Sequence, residues 1–156
     1  MNQTKLSVRR ATDADVETIA DFNCRLARET ENKTLDRPTV TEGVRRGLQT
    51  GPEVTYFMAV IGQQSVGTLM LTREWSDWRN GWIAWLQSVF VVESHRGQGV
   101  FRSMLNQVLE EMESDPDVIG VRLYVENENI RAQNVYQRSG FADPNYKVLE
   151  RLRESK

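Results

Sequence analysis

Residues 86–112, LQSVFVVESHRGQGVFRSMLNQVLEEM, decide how the rest of the chain is arranged. They open with an apolar run at 86–92, which predicts a buried β-strand. A glycine-containing turn follows, and apolar residues then recur at the spacing of one helix face. These helix positions are Val100, Phe101, Met104, Leu105, Val108, Leu109 and Met112. The stretch therefore predicts a strand, a tight turn and an amphipathic helix in succession.

The turn Arg96-Gly97-Gln98-Gly99 has the composition of an anion-binding site. The first amides of a helix lack partners within the helix, and the helix dipole adds partial positive charge there. Gly97 and Gly99 carry no Cβ where a phosphate must approach the backbone, and Arg96 adds a charged fork. A plain strand-to-helix turn that needs its glycines for geometry alone would look the same, so both interpretations stay open.

Two common phosphate-binding motifs do not fit this turn. A P-loop ends in Gly-Lys-Ser/Thr, and that triplet is absent from the sequence. A dinucleotide-binding fingerprint needs a third glycine at the position of Arg102. Neither a P-loop nucleotide site nor a dinucleotide fold is therefore expected.

Composition places the chain among ordinary globular proteins. Its 156 residues suit one domain, 1–156, and no linker or repeat divides it. A net charge of −2 gives no electrostatic reason to expect nucleic acid binding. The one cysteine, Cys24, excludes an internal disulfide and fits a reducing cytoplasm. We expect no metal, because no ligand spacing is present, and no membrane association, because no apolar run is long enough to span a bilayer.

The remaining chain predicts a sheet with helices on both faces. Strands are expected near residues 5–9, 56–61, 66–72, 82–92, 118–125 and 146–149. Helices are expected after Thr12, after a capping box at Thr39, after Gly99, and from Asn127 or Asn129 to Ser139. Residues 73–81 are expected to form a polar connection. The two strands flanking the third helix should be parallel neighbours, since a helix crossover joins them. The fold class is α+β, a three-layer arrangement around a mixed, mostly antiparallel sheet.

A second motif follows that crossover unit: Asn129-Ile130-Arg131-Ala132, then Tyr136, then Gly140-Phe141. Together with the glycine turn, it resembles the GNAT superfamily of N-acetyltransferases, and the order of elements resembles that fold over nearly the whole chain. The resemblance implies transfer of an acetyl group from acetyl-CoA to a primary amine by direct attack in a ternary complex. It also implies that the two parallel strands splay apart, and a homodimer is a further family expectation.

The resemblance implies a role for each motif residue. The diphosphate of acetyl-CoA would lie on the amides of residues 96–101, namely Arg96, Gly97, Gln98, Gly99, Val100 and Phe101. Backbone groups near Phe90 and Val91 would bond the pantetheine arm, and Asn129 would contact it. One of those strand amides would polarise the thioester carbonyl. Tyr136 would protonate the departing thiolate, since a phenol is mostly protonated at neutral pH.

Simpler roles for these residues stay open. Tyr136 would serve as well as a helix tyrosine packed against the sheet, and Asn129 as a helix cap, a role compatible with cofactor contact. The family usually has a small residue at the position of Phe101. That ring would either crowd the cofactor or point into the core.

The proton acceptor is not identified by the sequence. Many relatives place a carboxylate on the strand before the turn, whereas this strand offers only Gln87 and Ser88 in its interior. The candidate bases lie elsewhere: Glu29, Glu74, Asp77 and Glu126.

A cluster of four tryptophans suggests the acceptor. Trp75, Trp78, Trp82 and Trp85 lie within eleven residues that include Asp77 and directly follow Glu74, and aromatic faces with acids can hold a cation. A small amine, polyamine-like or amino-acid-like acceptor is therefore expected. In the alternative, Trp82 and Trp85 pack in the sheet or at a dimer contact. Two other functions remain: an acyl-CoA-binding module without turnover, and a nucleotide-binding or structural protein whose turn is only geometric.

Overall fold

The structure, a computed structural model, describes residues 5–154. The described chain forms two units, the first ending at Tyr124 and the second beginning at Val125. The strands of the first unit are β1 Leu6–Arg10, β2 Val54–Ile61, β3 Gln64–Ser76, β4 Gly81–Val91 and β5 Val118–Leu123. Its helices are α1 Val16–Glu31, α2 Arg37–Gln49 and α3 Val100–Ser114. The second unit contains α4 Ile130–Arg138.

The sheet follows the order of the sequence, β1-β2-β3-β4-β5. The first four strands are antiparallel to their neighbours, and β5 is parallel to β4. A two-residue turn, Gly62-Gln63, joins β2 to β3, because Ile61 and Gln64 are already paired. Helix α3 supplies the crossover that parallel strands require. The predicted mixed sheet with one parallel pair is confirmed.

Both faces of the sheet are covered. Tyr56, Phe57, Met58 and Ala59 are consecutive in β2 and all are buried, although alternate strand residues point to opposite faces. Helix α1 contacts β3 and β4, α2 contacts β2, and α3 contacts β1, β2, β3 and β5. Buried side chains of all three helices and the sheet join one apolar core. The predicted helices on both faces are therefore confirmed.

The segment 73–81 differs from the prediction. Instead of an irregular connection, β3 continues to Ser76 and β4 begins at Gly81. Cross-strand pairs extend to the end of this hairpin, and Trp75 packs edge-to-face on Trp82 with ring centroids 5.0 Å apart. Such pairs stabilise a hairpin even where its residues are polar. Asn80 adopts the positive φ, +50°, that closes the turn.

Two other local predictions are corrected. The side chain of Asp36 caps α2 by accepting a hydrogen bond from the amide of Thr39, so the helix begins earlier than a Thr39 cap would place it. Residues 139–154 contain no strand, whereas one was predicted at 146–149. Pro144 lacks an amide for pairing, and Asn145 adopts a φ of +62°, which interrupts an extended backbone. The predicted cap at Asn129 and the helix end at Gly140, φ +94°, are both found.

A buried carboxylate joins β1 to the start of α1. Asp15, 6% exposed, accepts hydrogen bonds from Arg9 Nη1 at 2.7 Å and Nη2 at 2.9 Å. It also accepts from the amide of Thr12 at 2.8 Å. These bonds, the Arg9 bond foremost, lower the pKa of Asp15 below its ordinary value.

We expect Asp15→Asn to lower the free energy of unfolding by about 1–2 kcal/mol at neutral pH, because the variant loses the charge that Arg9 meets. The pKa of Asp15 is lower in the folded protein than in the unfolded chain, where it is about 3.9. The stabilisation is therefore fully present above about pH 3.9 and is lost as the pH falls through the pKa of the folded state. Urea unfolding of both proteins at neutral and acidic pH measures it. Asp13→Asn, a neighbouring exposed acid, is the control and should change stability by less than about 0.5 kcal/mol. Equal losses in both variants would contradict the assignment.

Candidate functional site

Strand β4 leaves its parallel partner half way along its length. The last β4–β5 pair is Leu86 with Leu123, yet β4 continues to Val91. The register between β3 and β4 shifts at the same place, and Ser88 adopts a φ of +51°. A β-bulge therefore bends β4 where β5 ends. We call the space between residues 87–91 and the end of β5 the β4–β5 gap; on that side, β4 has no strand partner among residues 5–154.

The positive φ of Ser88 marks this bulge as a strained position. The other non-glycine residues with positive φ in the described chain are asparagines outside regular strands: Asn32, Asn80 and Asn145. Asparagine tolerates this conformation, whereas serine inside a strand adopts it only when the surroundings impose it. Sequence reasoning missed the bulge. The one available signal was a polar pair, Gln87-Ser88, inside an apolar strand.

The glycine turn lies at the start of α3 with its backbone open. Gly97 has a φ of +74°, and Gly99, the N-cap of α3, has a φ of +84°. A Cβ built on either residue would meet no atom within 4 Å, so the glycines serve conformation and leave space in front of the backbone. Within the described chain, the amides of Gly97, Gln98, Gly99 and Val100 donate to no acceptor. Four free donors beside a helix N-terminus are suited to an anion.

Arg96 anchors this turn to its surroundings. Its Nε donates to the carbonyl of Val91 at 2.8 Å, and its Nη2 donates to Glu29 Oε2 at 2.6 Å. The guanidinium also lies over the ring of Phe90, 5.6 Å from the centroid. Sequence analysis assigned Arg96 a charge for the ligand, whereas the structure gives it three contacts with strand β4 and helix α1. Glu29 balances part of that charge.

Phe101 points into the core, which is the second of the two directions expected for its ring. Its side chain is half-buried and packs against the apolar core. Val100, Met104, Leu105 and Val108 of the same helix are buried as well. The large residue at this position is thus part of the packing of α3.

The second unit contains Asn129 and Tyr136. Asn129 caps α4, since its Oδ1 accepts from the amide of Ala132 at 3.1 Å. The Tyr136 ring contacts Phe141 edge-on, with centroids 5.8 Å apart and planes at 68°. Burial raises the pKa of Tyr136 above the usual value for a phenol. The hydroxyl therefore stays protonated at neutral pH and is able to donate.

The four tryptophans do not meet at one place. Trp75 packs on Trp82, whereas Trp85 packs against Tyr124 with centroids 4.6 Å apart and ring planes tilted by 39°. Trp82 and Trp85 lie an odd number of residues apart in β4 and point to opposite faces of the sheet. Trp78, 86% exposed, lies in the turn between β3 and β4. The expected single aromatic cluster is divided between the two faces.

The candidate bases are already engaged. Glu29, Glu74, Asp77 and Glu126 each accept at least one hydrogen bond. Hydrogen bonding therefore does not single out one of them. Within residues 5–154, no group of three or more histidine, cysteine or acidic side chains could hold a metal ion. Over the same range, no helix has both the length and the apolar character needed to cross a bilayer.

Comparison with known proteins gives the family. The family model of the Acetyltransferase (GNAT) family matches residues 20–141, most of the chain. This range includes the bulged strand, the glycine turn and α4. The chain belongs to the GNAT family of acetyltransferases.

Individual relatives agree with this assignment. A solved structure described as a possible acetyltransferase from Clostridium difficile 630 is 37% identical, with a TM-score of 0.89 over 96% of this chain and 99% of that one. A predicted acetyltransferase from Clostridium acetobutylicum, solved with acetyl-CoA, shares the fold at 16% identity and a TM-score of 0.77, covering 94% and 96%. Streptothricin acetyltransferase from Escherichia coli is 30% identical over 83 residues, 53% of this chain. Those residues span 44% of that relative, less than half its length.

We expect Gly99→Ala to weaken coenzyme A binding at least about tenfold, because the new Cβ enters the space in front of the free amides. The matched control is Gly51→Ala, which imposes a similar backbone strain at φ +91° but lies after α2. Calorimetric titration with coenzyme A measures both. Equal affinity in the two variants, with both folded, would contradict an anion site at the turn.

Proposed function

We propose that the protein transfers an acetyl group from acetyl-CoA to a primary amine of a small molecule, by direct attack in a ternary complex. One observation supports the proposal in a chain of this family. Strand β4 has a bulge and extends beyond its pairing with β5, and the glycine turn with four free amides follows it directly. The diphosphate of acetyl-CoA would accept hydrogen bonds from the amides of the turn. The amides of its pantetheine arm would bond to the unpaired edge of β4. The E. coli relative is named for a small-molecule acceptor, streptothricin, which favours an acceptor of that kind here.

The cofactor would use backbone groups more than side chains. Its diphosphate would accept hydrogen bonds from amides of residues 96–101, so binding would depend on the two glycines more than on the charge of Arg96. The pantetheine arm would bond to β4 near Phe90 and Val91 as a neighbouring strand would. Asn129 uses Oδ1 for its helix cap, so its side-chain NH₂ is the group we assign to the arm.

The reaction needs one proton donor and one proton acceptor. The amine nitrogen attacks the thioester carbonyl carbon, a C–N bond forms, and the C–S bond then breaks. An amide of β4 would stabilise the oxyanion. Tyr136 would give its phenolic proton to the departing thiolate, while the proton lost by the amine passes to water or a carboxylate. The raised pKa of Tyr136 keeps it in the protonated form that this step requires.

We expect Tyr136→Phe to lower kcat about a hundredfold and to change the KM for acetyl-CoA by less than about threefold, because the hydroxyl acts in the transition state. Tyr56→Phe is the control. Tyr56 is buried in β2, and burial likewise raises its pKa, but it lies outside the proposed site. Steady-state thiol release measures both constants. A large rise in KM with an unchanged kcat would contradict the acid role.

An acyl-CoA-binding module without turnover is the second candidate. It is favoured by the interior of β4, which holds Gln87 and Ser88 where an acid would be expected. Thiol release from acetyl-CoA over a panel of amines separates the two functions. Tight coenzyme A binding with no thiol release on any amine would select the binding module.

A further inference from the structure

The segment that ends the described chain is exposed to water. Every residue from 142 to 154 is exposed, although large apolar side chains are among them. Val148 is 66% exposed, Leu152 75% and Leu149 91%. Soluble monomers rarely leave a group of apolar side chains in water, and such a group marks a surface that contacts a partner. We call residues 146–153 the tail segment.

The rest of the second unit supplies no apolar core for the tail segment. None of the residues 125–154 is buried. Ile130, the first residue of α4, is itself 58% exposed. Burial of apolar surface is the main favourable contribution to folding, so a unit without a buried residue gains little from its own packing. Apolar surface from a partner would therefore stabilise the tail segment.

Strand β5 has the complementary feature, an open edge. It is the last strand in the order of the sheet, so its outer side, away from β4, has no neighbouring strand among residues 5–154. None of its residues is buried, and Ile119 is 40% exposed. The unpaired backbone groups of an edge strand are able to bond to a further strand from another chain. The outer edge of β5 is thus a place where an extended segment would fit.

Charges without a partner accompany both elements, and their signs are opposite. The acids that flank β5 and form no ion pair within residues 5–154 are Asp117, Glu126 and Glu128. The bases of the tail segment form no ion pair over the same range, and they are Lys147, Arg151 and Arg153. The opposite edge strand, β1, contains two arginines and no acid, so it offers these bases no opposite charge. Charge therefore favours β5 as the partner of the tail segment.

The sequence of the tail segment fits an added strand. Successive side chains of a strand point to opposite faces. Val148 and Leu152 would share one face, and the three bases would share the other. Pro144 and the positive φ of Asn145 interrupt the backbone before this segment and not within it, so residues 146–153 are able to extend along an edge.

We propose that two copies of this chain exchange their tail segments, so that the tail segment of each copy pairs as an additional strand with the outer edge of β5 in the other. The open edge and the segment that fits it belong to one sequence, and neither has a strand partner within residues 5–154. A second copy supplies both at once, and the exchange closes as a symmetric dimer. The pairing uses the outer side of β5 alone, so the dimer is compatible with acetyl transfer and with acyl-CoA binding without turnover.

The mass of the protein in solution tests the exchange first. Light scattering after size-exclusion chromatography should give twice the mass of one chain for the wild type. Val148→Asp should raise the Kd of the dimer at least about a hundredfold, because it places a charge in the apolar contact. Val148 is exposed in the single chain, so this variant should keep the fold of the monomer, which circular dichroism checks. A wild-type protein that stays monomeric as its concentration is raised would overturn the proposal.

Trp78→Asp is the matched control. It introduces the same charge at an apolar residue that is 86% exposed but lies in the turn between β3 and β4. We expect this variant to form a dimer with a Kd within about threefold of the wild-type value. An equal rise in Kd for both variants would assign the dimer to another surface and overturn the exchange, as would a dimer that Val148→Asp leaves unchanged.

Isotope-filtered NMR then identifies the copy that supplies the added strand. In a dimer that combines one labelled and one unlabelled copy, we expect NOEs between backbone protons of the tail segment in one copy and those of β5 in the other. NOEs found only within one copy would mean that each tail segment packs on its own chain. NOEs to β1 or to a helix would define a different dimer. Either result would overturn the proposal.

Discussion

The unequal pairing of β4 is the constraint on which the rest of the structure depends. This strand is bonded to β3 along nearly all of its length but to β5 only as far as Leu86. Backbone donors and acceptors in the middle of a sheet need partners, so an edge that opens inside the fold is costly unless something else occupies it. The bulge at Ser88 lies two residues beyond the last β4–β5 pair, Leu86 with Leu123, and bends β4 away from β5 there.

The turn that follows β4 is held by contacts remote in sequence. Arg96 joins the strand end at Val91 to Glu29 near the C-terminal end of α1, 67 residues away along the chain. These bonds fix the first residue of the turn, and the two glycines after it take left-handed conformations. Their amides donate to no acceptor in the described chain. The apolar side of α3, with Phe101 included, packs against the core and holds the helix start in position. Strand edge and free amides thus come from one continuous segment.

Local sequence signals predicted most of the fold. The apolar strand at 86–92, the two glycines and the helix spacing after them each follow from short-range physics, and the structure contains all three. The strand expected at 146–149 failed because apolar residues alone do not make a strand when Pro144 and Asn145 interrupt the backbone. The hairpin at 73–81 was missed because its stability comes from pairs such as Trp75 with Trp82, which form only across strands.

The site was less predictable, for the same reason. The glycine turn and Tyr136 stand out in the sequence because their residue types are suited to binding an anion and to donating a proton. The bulge at Ser88 and the partners of Glu74 depend on register, which a single sequence does not specify. The division of the tryptophans between two faces, in contrast, follows from the two-residue period of a strand once the bounds of β4 are known.

Amide hydrogen exchange, followed by NMR with and without saturating acetyl-CoA, tests the central claim most directly. If the gap and the turn hold the acyl carrier, the amides of residues 97–100 and those of β4 near Phe90 and Val91 gain protection together. Protection confined to other parts of the chain, with both of these segments unchanged, would contradict the account.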